Sequence, residues 1–233
     1  MNVTITIASV IYNGNLFVHD LLNDVRIIKG SINCEFVVID GGSTDGTLLA
    51  LREQMDIIDF LVSEPDRGVY DAMNKALRQA TGDFVIFFGA DDRIEIDNFL
   101  RFVEKMKFND SVYYGLVRKD NKAFGGKTNF WKVLRQNIPH QAVFYPKQIY
   151  KRMEYNINYR IQADHEYNIR AYYNNCRFIF QPIIVATFGS GGLSSKNIDI
   201  NFMNDYYHIV AVNGGLLLSW IIKFGKIAKK FME

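Results

Sequence analysis

Two adjacent carboxylates, Asp91 and Asp92, follow the apolar run FVIFF at 84–88 and the pair Gly89-Ala90. An unbroken apolar run of this kind reads as a strand covered on both faces in a parallel sheet. Ligands of open α/β sheets gather beyond the carboxyl ends of such strands. A divalent cation is commonly held there by one or two carboxylates together with substrate phosphates. The pair also suits a solvated acidic turn in which one Asp caps the next helix. A second stretch with chemical potential is DGGSTDGT at 40–47, after the apolar run 36–39. Its glycines let backbone approach a ligand, and N–H groups at a helix start favour phosphate or ribose oxygens. Ser, Thr and Asp at these positions are equally ordinary helix caps. Between the two, Asp66-Arg67-Gly68 forms a turn-prone charged loop.

An alternation of strands and helices positions these residues. Residues 3–10 are β-rich and end at the turn signal Asn13-Gly14. Strands are expected at 36–39, 57–62 and 84–88, and helices at 19–29, 48–55 and 69–80. The last helix carries Val69, Ala72, Met73, Ala76, Leu77 and Ala80 at the spacing of one buried face. Gly82 is placed to end it in a left-handed conformation. This order predicts an α/β fold: three layers, Rossmann-like, with a mostly parallel sheet and helices on both faces. The second half predicts a helix at 96–106, a strand at 111–117, a loop or hairpin at 119–128 and a short strand between Pro139 and Pro146. Helices at about 147–153 and 164–173, a strand region at 178–188 and a glycine-rich stretch at 189–195 follow.

With 233 residues, 48% of them hydrophobic, the chain can bury a substantial core. A formal charge of +2 gives no case for a nucleic-acid partner. Cys34 and Cys176 have neither metal nor disulfide spacing and are expected to be reduced thiols. The first residues lack a basic segment and a small-residue cleavage site, and no run approaches the roughly 20 apolar residues of a membrane span. A cytoplasmic location is the expectation.

The motifs VIDGGSTDGT, SEPDRGVYDAMNKALRQATGDFVIFFGADD, PHQAVFY, ADHEYNIR and FGSGGLSS, in this order, resemble the family-two glycosyltransferases with the GT-A fold. The likeness runs over roughly residues 1–195 and is nearest to the branch that assembles bacterial exopolysaccharide, O-antigen and colanic acid. It implies an inverting transfer of a sugar from a nucleotide diphosphate donor, a UDP-sugar first among them, to an acceptor hydroxyl. It also implies a nucleotide-sugar half at about 1–95 and an acceptor half at about 96–200. Asp40 would contact the base, helped by backbone near Tyr12 and Asn13, with Ser43 and Asp45 in the associated turn. Asp66 and Arg67 would stand beside the donor, and Asn74 and Lys75 would border its pocket. Asp71 and Lys75, four apart on a helix, also suit a surface ion pair. Asp91 and Asp92 match the family's metal motif for Mn²⁺ or Mg²⁺, with Asp92 the favoured metal ligand and Asp91 also near the donor. Gly89 stands where many relatives carry another acid or Asn. Asp164 is the leading general base and Glu166 the second candidate. His165 between them reads as exposed, and His140 and Gln141 would line the acceptor side. The glycine-rich stretch from Gly189 either closes over the ligand or forms a plain turn.

The tail 201–233 is expected to be a helical extension. From Leu216 its apolar residues recur at near-helical spacing, with Lys223, Lys226, Lys229 and Lys230 largely on the other side. Such a helix can lie on an anionic membrane surface or pack on the domain. The expected partners are thus a nucleotide sugar, a glycan or lipid-linked oligosaccharide acceptor, and an inner-membrane surface. A sugar-phosphate nucleotidyltransferase is the alternative enzyme, but 7–15 lacks the basic, glycine-rich signature it would need. A nucleotide-sugar-binding module without chemistry is the non-enzyme alternative.

Overall fold

The strand sequences sort themselves by how much of each run is apolar, and the sheet follows that order. The computed structural model describes residues 3–174, 176–189 and 198–230, with side chains as far as Lys223. The wholly buried β4 (Phe84–Phe88) and the largely buried β1 (Ile5–Ile11) and β2 (Cys34–Asp40) lie side by side, and the half-exposed β3 (Phe60–Ser63) takes the edge. These four are parallel, with Ile11 opposite Asp40, Asp40 opposite Ser63 and Ser9 opposite Phe88. All four carboxyl ends therefore open on one side of the molecule. Beyond β4 the sheet becomes mixed. β8 (Val143–Pro146) pairs antiparallel with β4 and with β6 (Val112–Lys119), and β9 (Phe178–Thr187) runs parallel to β6. The short β5 (Arg93–Ile94) closes the far edge against β9. The expected hairpin is present: β7 (Lys122–Gly125) returns on β6 through Asp120 and Asn121, both at positive φ as a tight primed turn requires.

Helices cover both faces. On one, α1 (Val18–Lys29), α2 (Thr47–Arg52) and α4 (Ile96–Glu104) bury their apolar stripes on Ile5, Ile7, Phe84 and Phe88. On the other, α3 (Val69–Gln79), α5 (Phe130–Arg135), the four-residue α6 (Lys147–Tyr150) and α7 (Ala163–Tyr173) pack on Ala8, Val37, Val85 and Phe87. α8 (Ile200–Gly214) is part of this second layer and more than an appendage, since Phe202, Tyr206, Ile209 and Val210 all lie in the core. α9 (Leu216–Lys230) follows it. Among the described residues no helix is long and apolar enough to cross a membrane. The helix expected at 48–55 starts one residue earlier and stops at Arg52.

Gly82 acts differently from the expectation. α3 ends at Gln79 with extended backbone at Ala80, and Gly82 is not left-handed. It is needed because β1 passes so close. A Cβ at Gly82 would stand 2.6 Å from Thr6 Oγ1 and 2.8 Å from the Thr4 carbonyl oxygen. Overpacking of this kind costs about 1–3 kcal/mol. Gly82→Ala should therefore lower the unfolding free energy by that amount, read as a lower urea midpoint at an unchanged slope, whereas Gly68→Ala, with nothing within 4 Å, carries only backbone strain at φ +117°.

Candidate active site

The loops beyond β1 and β2 are laced together before any ligand arrives. Asn13 N–H donates to Ser43 Oγ at 2.8 Å, Thr44 N–H to Asn13 Oδ1 at 2.9 Å, and Gly14 N–H to Thr47 Oγ1 at 2.9 Å. Asp45 accepts from Asn15 N–H at 3.0 Å and from the Thr47 amide and hydroxyl, which hold its carboxyl below the usual range although burial opposes them. Asp40 is wholly buried, and its oxygens accept from the Ser43 amide and hydroxyl and from Ser63 Oγ. Ser43, Asp45 and Asp40 thus hold the loops in register. The surface left open is Tyr12, 67% exposed, beside Gly41 and Asp66. A Cβ on Gly41 would meet Asp66 Oδ2 at 2.5 Å and Tyr12 Cδ2 at 3.4 Å, so the missing side chain leaves a floor between an aromatic ring and a carboxylate.

The next loop and helix buttress this floor. Asp66 Oδ1 accepts from Gly68 N–H at 2.8 Å. Arg67 is exposed and reaches Asp71 at 3.4 Å, while Lys75 bonds Glu64 at 2.8 Å and the Pro65 carbonyl at 3.1 Å. The Asp71–Lys75 pair expected from spacing is replaced by these two contacts. Asn74 is buried and clamps both backbone groups of Tyr155, which secures the helix.

At the tip of β4 the two acids divide their labour. Asp92 is buried, and its oxygens accept from Gly89 N–H at 2.8 Å, Gly189 N–H at 3.0 Å and Gln141 Nε2 at 3.2 and 3.3 Å. Burial pushes its carboxyl up, against the charge of His140 and the two amides, and Asp91 adds to the rise. Asp91 is half-buried, and Gly189 packs on it so closely that any Cβ there would collide with the carboxylate. Arg93, next along, is pinned to the buried Asp24 of α1 by bonds of 3.0 Å, which fixes the direction of the tip. Among the described residues no three His, Cys, Asp or Glu side chains form a metal cage. Asp91 and Asp92 together are a donor pair that could hold a cation shared with phosphates, with Asp92 tied to backbone amides and Asp91 half-buried beside it.

Across the opening stands Asp164. Its Oδ1 lies 2.9 Å from the Tyr70 hydroxyl, and its Oδ2 lies 3.5 Å from His140 Nδ1. Burial pushes the Asp164 carboxyl up, but the hydrogen bond and charge of His140, with bonds from Tyr70 and Asn137, outweigh it and hold the group below the usual range. For His140 burial pulls the imidazole down, and the bond and charge of Asp164 with the charges of Asp92 and Asp91 carry it above its ordinary value. His140 therefore links the β4 tip to Asp164. Gln141 Oε1 is buried and has no partner among the described residues, so it can accept from a ligand or water.

Glu166 does not join this group. Both its oxygens accept from Arg170, at 2.8 and 2.9 Å, and two residues along a helix turn it about 200° from Asp164. His165 is buried, contrary to its expected exposure, with Nε2 2.8 Å from the Val133 carbonyl and its ring stacked on Phe202. Burial holds it below its ordinary value. Tyr70 and Asn137 were not foreseen. Tyr70 sits within the DRGVYDAMNK motif but reads as one more ring of a core stripe, and Asn137 belongs to no motif. From residue 190 the glycine-rich stretch lies outside the described residues.

The sheet is a mostly parallel α/β sheet with acids at its strand ends, and comparison makes the class definite. The Glycosyl transferase family 2 pattern matches residues 6–182, and the chain belongs to that family. The PGL/p-HBAD biosynthesis glycosyltransferase Rv2957 of Mycobacterium tuberculosis is 36% identical over 181 residues, 72% of this chain and 71% of the relative. Poly-beta-1,6-N-acetyl-D-glucosamine synthase of Staphylococcus aureus is 29% identical over 111 residues, 46% of this chain and 26% of that protein. The Staphylococcus aureus TarS 1-349 structure in complex with UDP superposes with a TM-score of 0.68 at 18% identity, over 90% of this chain. The mannosyltransferase PcManGT of Pyrobaculum calidifontis, in complex with GDP-Man and Mn²⁺, gives 0.66 at 20% identity over 96% of this chain. The chain spans 65% of the length of each of those two. The fold is the GT-A fold.

The His140–Asp164 pair predicts a pH-dependent stability. A raised histidine contributes fully below about pH 6.5 and loses that contribution as pH rises through its folded value. A depressed aspartate contributes above about pH 3.8 and fails as pH falls through its folded value. Denaturation of wild type and His140→Gln should show the widest gap between about pH 4 and 6.5, narrowing on the alkaline side. A gap that widens above pH 7 would contradict the pairing.

Proposed function

We propose that this protein is an inverting glycosyltransferase that moves a sugar from a nucleotide diphosphate, first a UDP-sugar, to a hydroxyl of a glycan or lipid-linked acceptor in bacterial surface polysaccharide assembly. The reaction is placed on the cytoplasmic side, where nucleotide sugars are made. The carrying observation is the meeting of Asp91 and Asp92 with His140 and Asp164 beyond the parallel strand ends. Neighbours of the same fold that bind UDP, UDP-GlcNAc and GDP-Man support a nucleotide-sugar donor.

In this reading the base lies on the Gly41 floor between Tyr12 and Asp66, and Arg67 stands at the mouth as a cation for the donor. A divalent cation, Mn²⁺ or Mg²⁺, held by Asp91 and the diphosphate would offset the charge that grows on the leaving group. Asp92 holds the tip through backbone amides, so Asp91 need not reorganise. The acceptor oxygen attacks the anomeric carbon opposite the diphosphate, the carbon–oxygen bond to the diphosphate breaks, and the acceptor proton passes to Asp164. His140 keeps that carboxylate charged and oriented, and Gln141 Oε1 is an acceptor for a sugar hydroxyl.

Calorimetry with UDP, GDP and CMP, with and without Mn²⁺, combined with transfer assays, tests the reading. Asp91→Asn should lose metal-dependent nucleotide binding. Asp164→Asn should keep binding and lose transfer by about 10²–10⁴-fold, while Glu166→Gln stays within a few fold. Binding of none of the three nucleotides would remove the donor site.

A further inference from the structure

A buried line of side-chain amides reaches Asp164 from the side away from the donor strands. Asp164 and Asn168 are four apart on α7 and so share a face of that helix. Asn168 is wholly buried. Its Nδ2 donates to Asn137 Oδ1 at 2.9 Å and to the Ile138 carbonyl at 3.4 Å, and its Oδ1 accepts from the Tyr145 hydroxyl at 2.7 Å. Asn137 Oδ1 also accepts from the Ile138 N–H at 2.8 Å, and the Asn137 side chain bonds the Asp164 carboxylate.

The backbone of one residue fixes which way both amides point. The Ile138 N–H requires an oxygen from Asn137, and the Ile138 carbonyl requires a nitrogen from Asn168. With its oxygen taken by two donors, Asn137 has only its NH₂ group to offer Asp164. Every donor therefore points the same way, from Tyr145 through Asn168 and Asn137 to the carboxylate, and the members of such a chain polarise one another. The other side-chain donors are held less firmly. The Tyr70 hydroxyl has one proton for two acceptors, Asp164 Oδ1 at 2.9 Å and the Ile161 carbonyl at 2.7 Å. His140 Nδ1 stands 3.5 Å from Oδ2. At its far end the line is anchored on the sheet, since Tyr145 lies in β8 opposite Val85 of β4, the strand that leads to Asp91 and Asp92.

We propose that Asn137 and Asn168 are positioning residues that set the direction of the Asp164 carboxylate, and with it the line along which the acceptor hydroxyl approaches. Both act through Asp164 and not on the substrate. A displacement at the anomeric carbon is sensitive to that line, and a misplacement of about 1 Å costs about 10²-fold in rate. The inference rests on Asp164 as the base of the proposed transfer and adds the residues that aim it.

The full chain is given UDP-glucose or UDP-N-acetylglucosamine with Mn²⁺, with water in place of the acceptor hydroxyl, and released UDP is measured. Asn137→Ala should lower kcat by about 10–10²-fold with KM and UDP affinity unchanged. Asn168→Ala should do the same, with far-UV circular dichroism unchanged. Tyr206→Phe removes a bond from α8 to the Leu134 carbonyl of α5 and should keep kcat. The double variant Asn137→Ala/Asp164→Asn should lose no more than Asp164→Asn alone, as residues acting through one group do. In nitrogen–proton correlation spectra the Asn137 side-chain amide, identified by its absence in Asn137→Ala, should lie downfield and move upfield in Asp164→Asn. Five results would each overturn the inference and leave the base in place: wild-type kcat in Asn137→Ala, a change in KM alone, an equal fall in Tyr206→Phe, multiplying losses in the double variant, or an Asn137 amide indifferent to Asp164→Asn. Wild-type turnover in Asp164→Asn would remove the base and the inference together. Where the wild-type chain releases no UDP, the amide resonance alone upholds or overturns the inference.

Discussion

A carboxylate sealed from water must be given hydrogen bonds, and Asp92 draws its own from three segments far apart in the chain. Gly89 lies on its own tip, Gln141 in the turn before β8, and Gly189 at the end of β9. Each donor would lose its partner if the tip moved, and the carboxylate would be left buried and uncompensated. The bonds therefore hold the parallel strands and the mixed strands of the sheet together at the tip of β4. Gly189 has a second reason to lack a side chain, since any Cβ there would run into Asp91.

Acids near the site perform two kinds of work, and their bonding partners separate them. Asp40 and Asp45 are used up by hydroxyls and amides of their own loops, which makes the rim rigid. Asp91 and the buried Asp164 both act on His140, whose imidazole is raised by these negative neighbours. A cation at this position both lowers the cost of gathering three carboxylates and orients one of them. The low dielectric of the partly closed site makes such pairing stronger than it would be in water.

The fold class was legible from the sequence because it depends on local periodicity. FVIFF and 36–39 are apolar throughout, and only strands covered on both faces need that. The stripe from Val69 to Leu77 and the acidic tip after β4 were equally plain, since each is written within a dozen residues. Family motifs extended this to Asp164 and His140, whose spacing in the chain has no physical reading of its own.

What tertiary structure alone decided is how each polar group is spent. Asp91 and Asp92 are identical in type and adjacent in sequence, and only the approach of Gly189 and Gln141 buries one and leaves the other half-buried. Glu166 became an ion-pair partner because Arg170 lies one turn along, and Gly82 became a contact glycine because β1 passes beside it. His165 went inside because α5 and α8 close over α7. A sequence determines which residues prefer burial or bonding by their chemistry and period. Partners more than a turn away are chosen by packing, which brings together groups separated by 30 to nearly 100 positions.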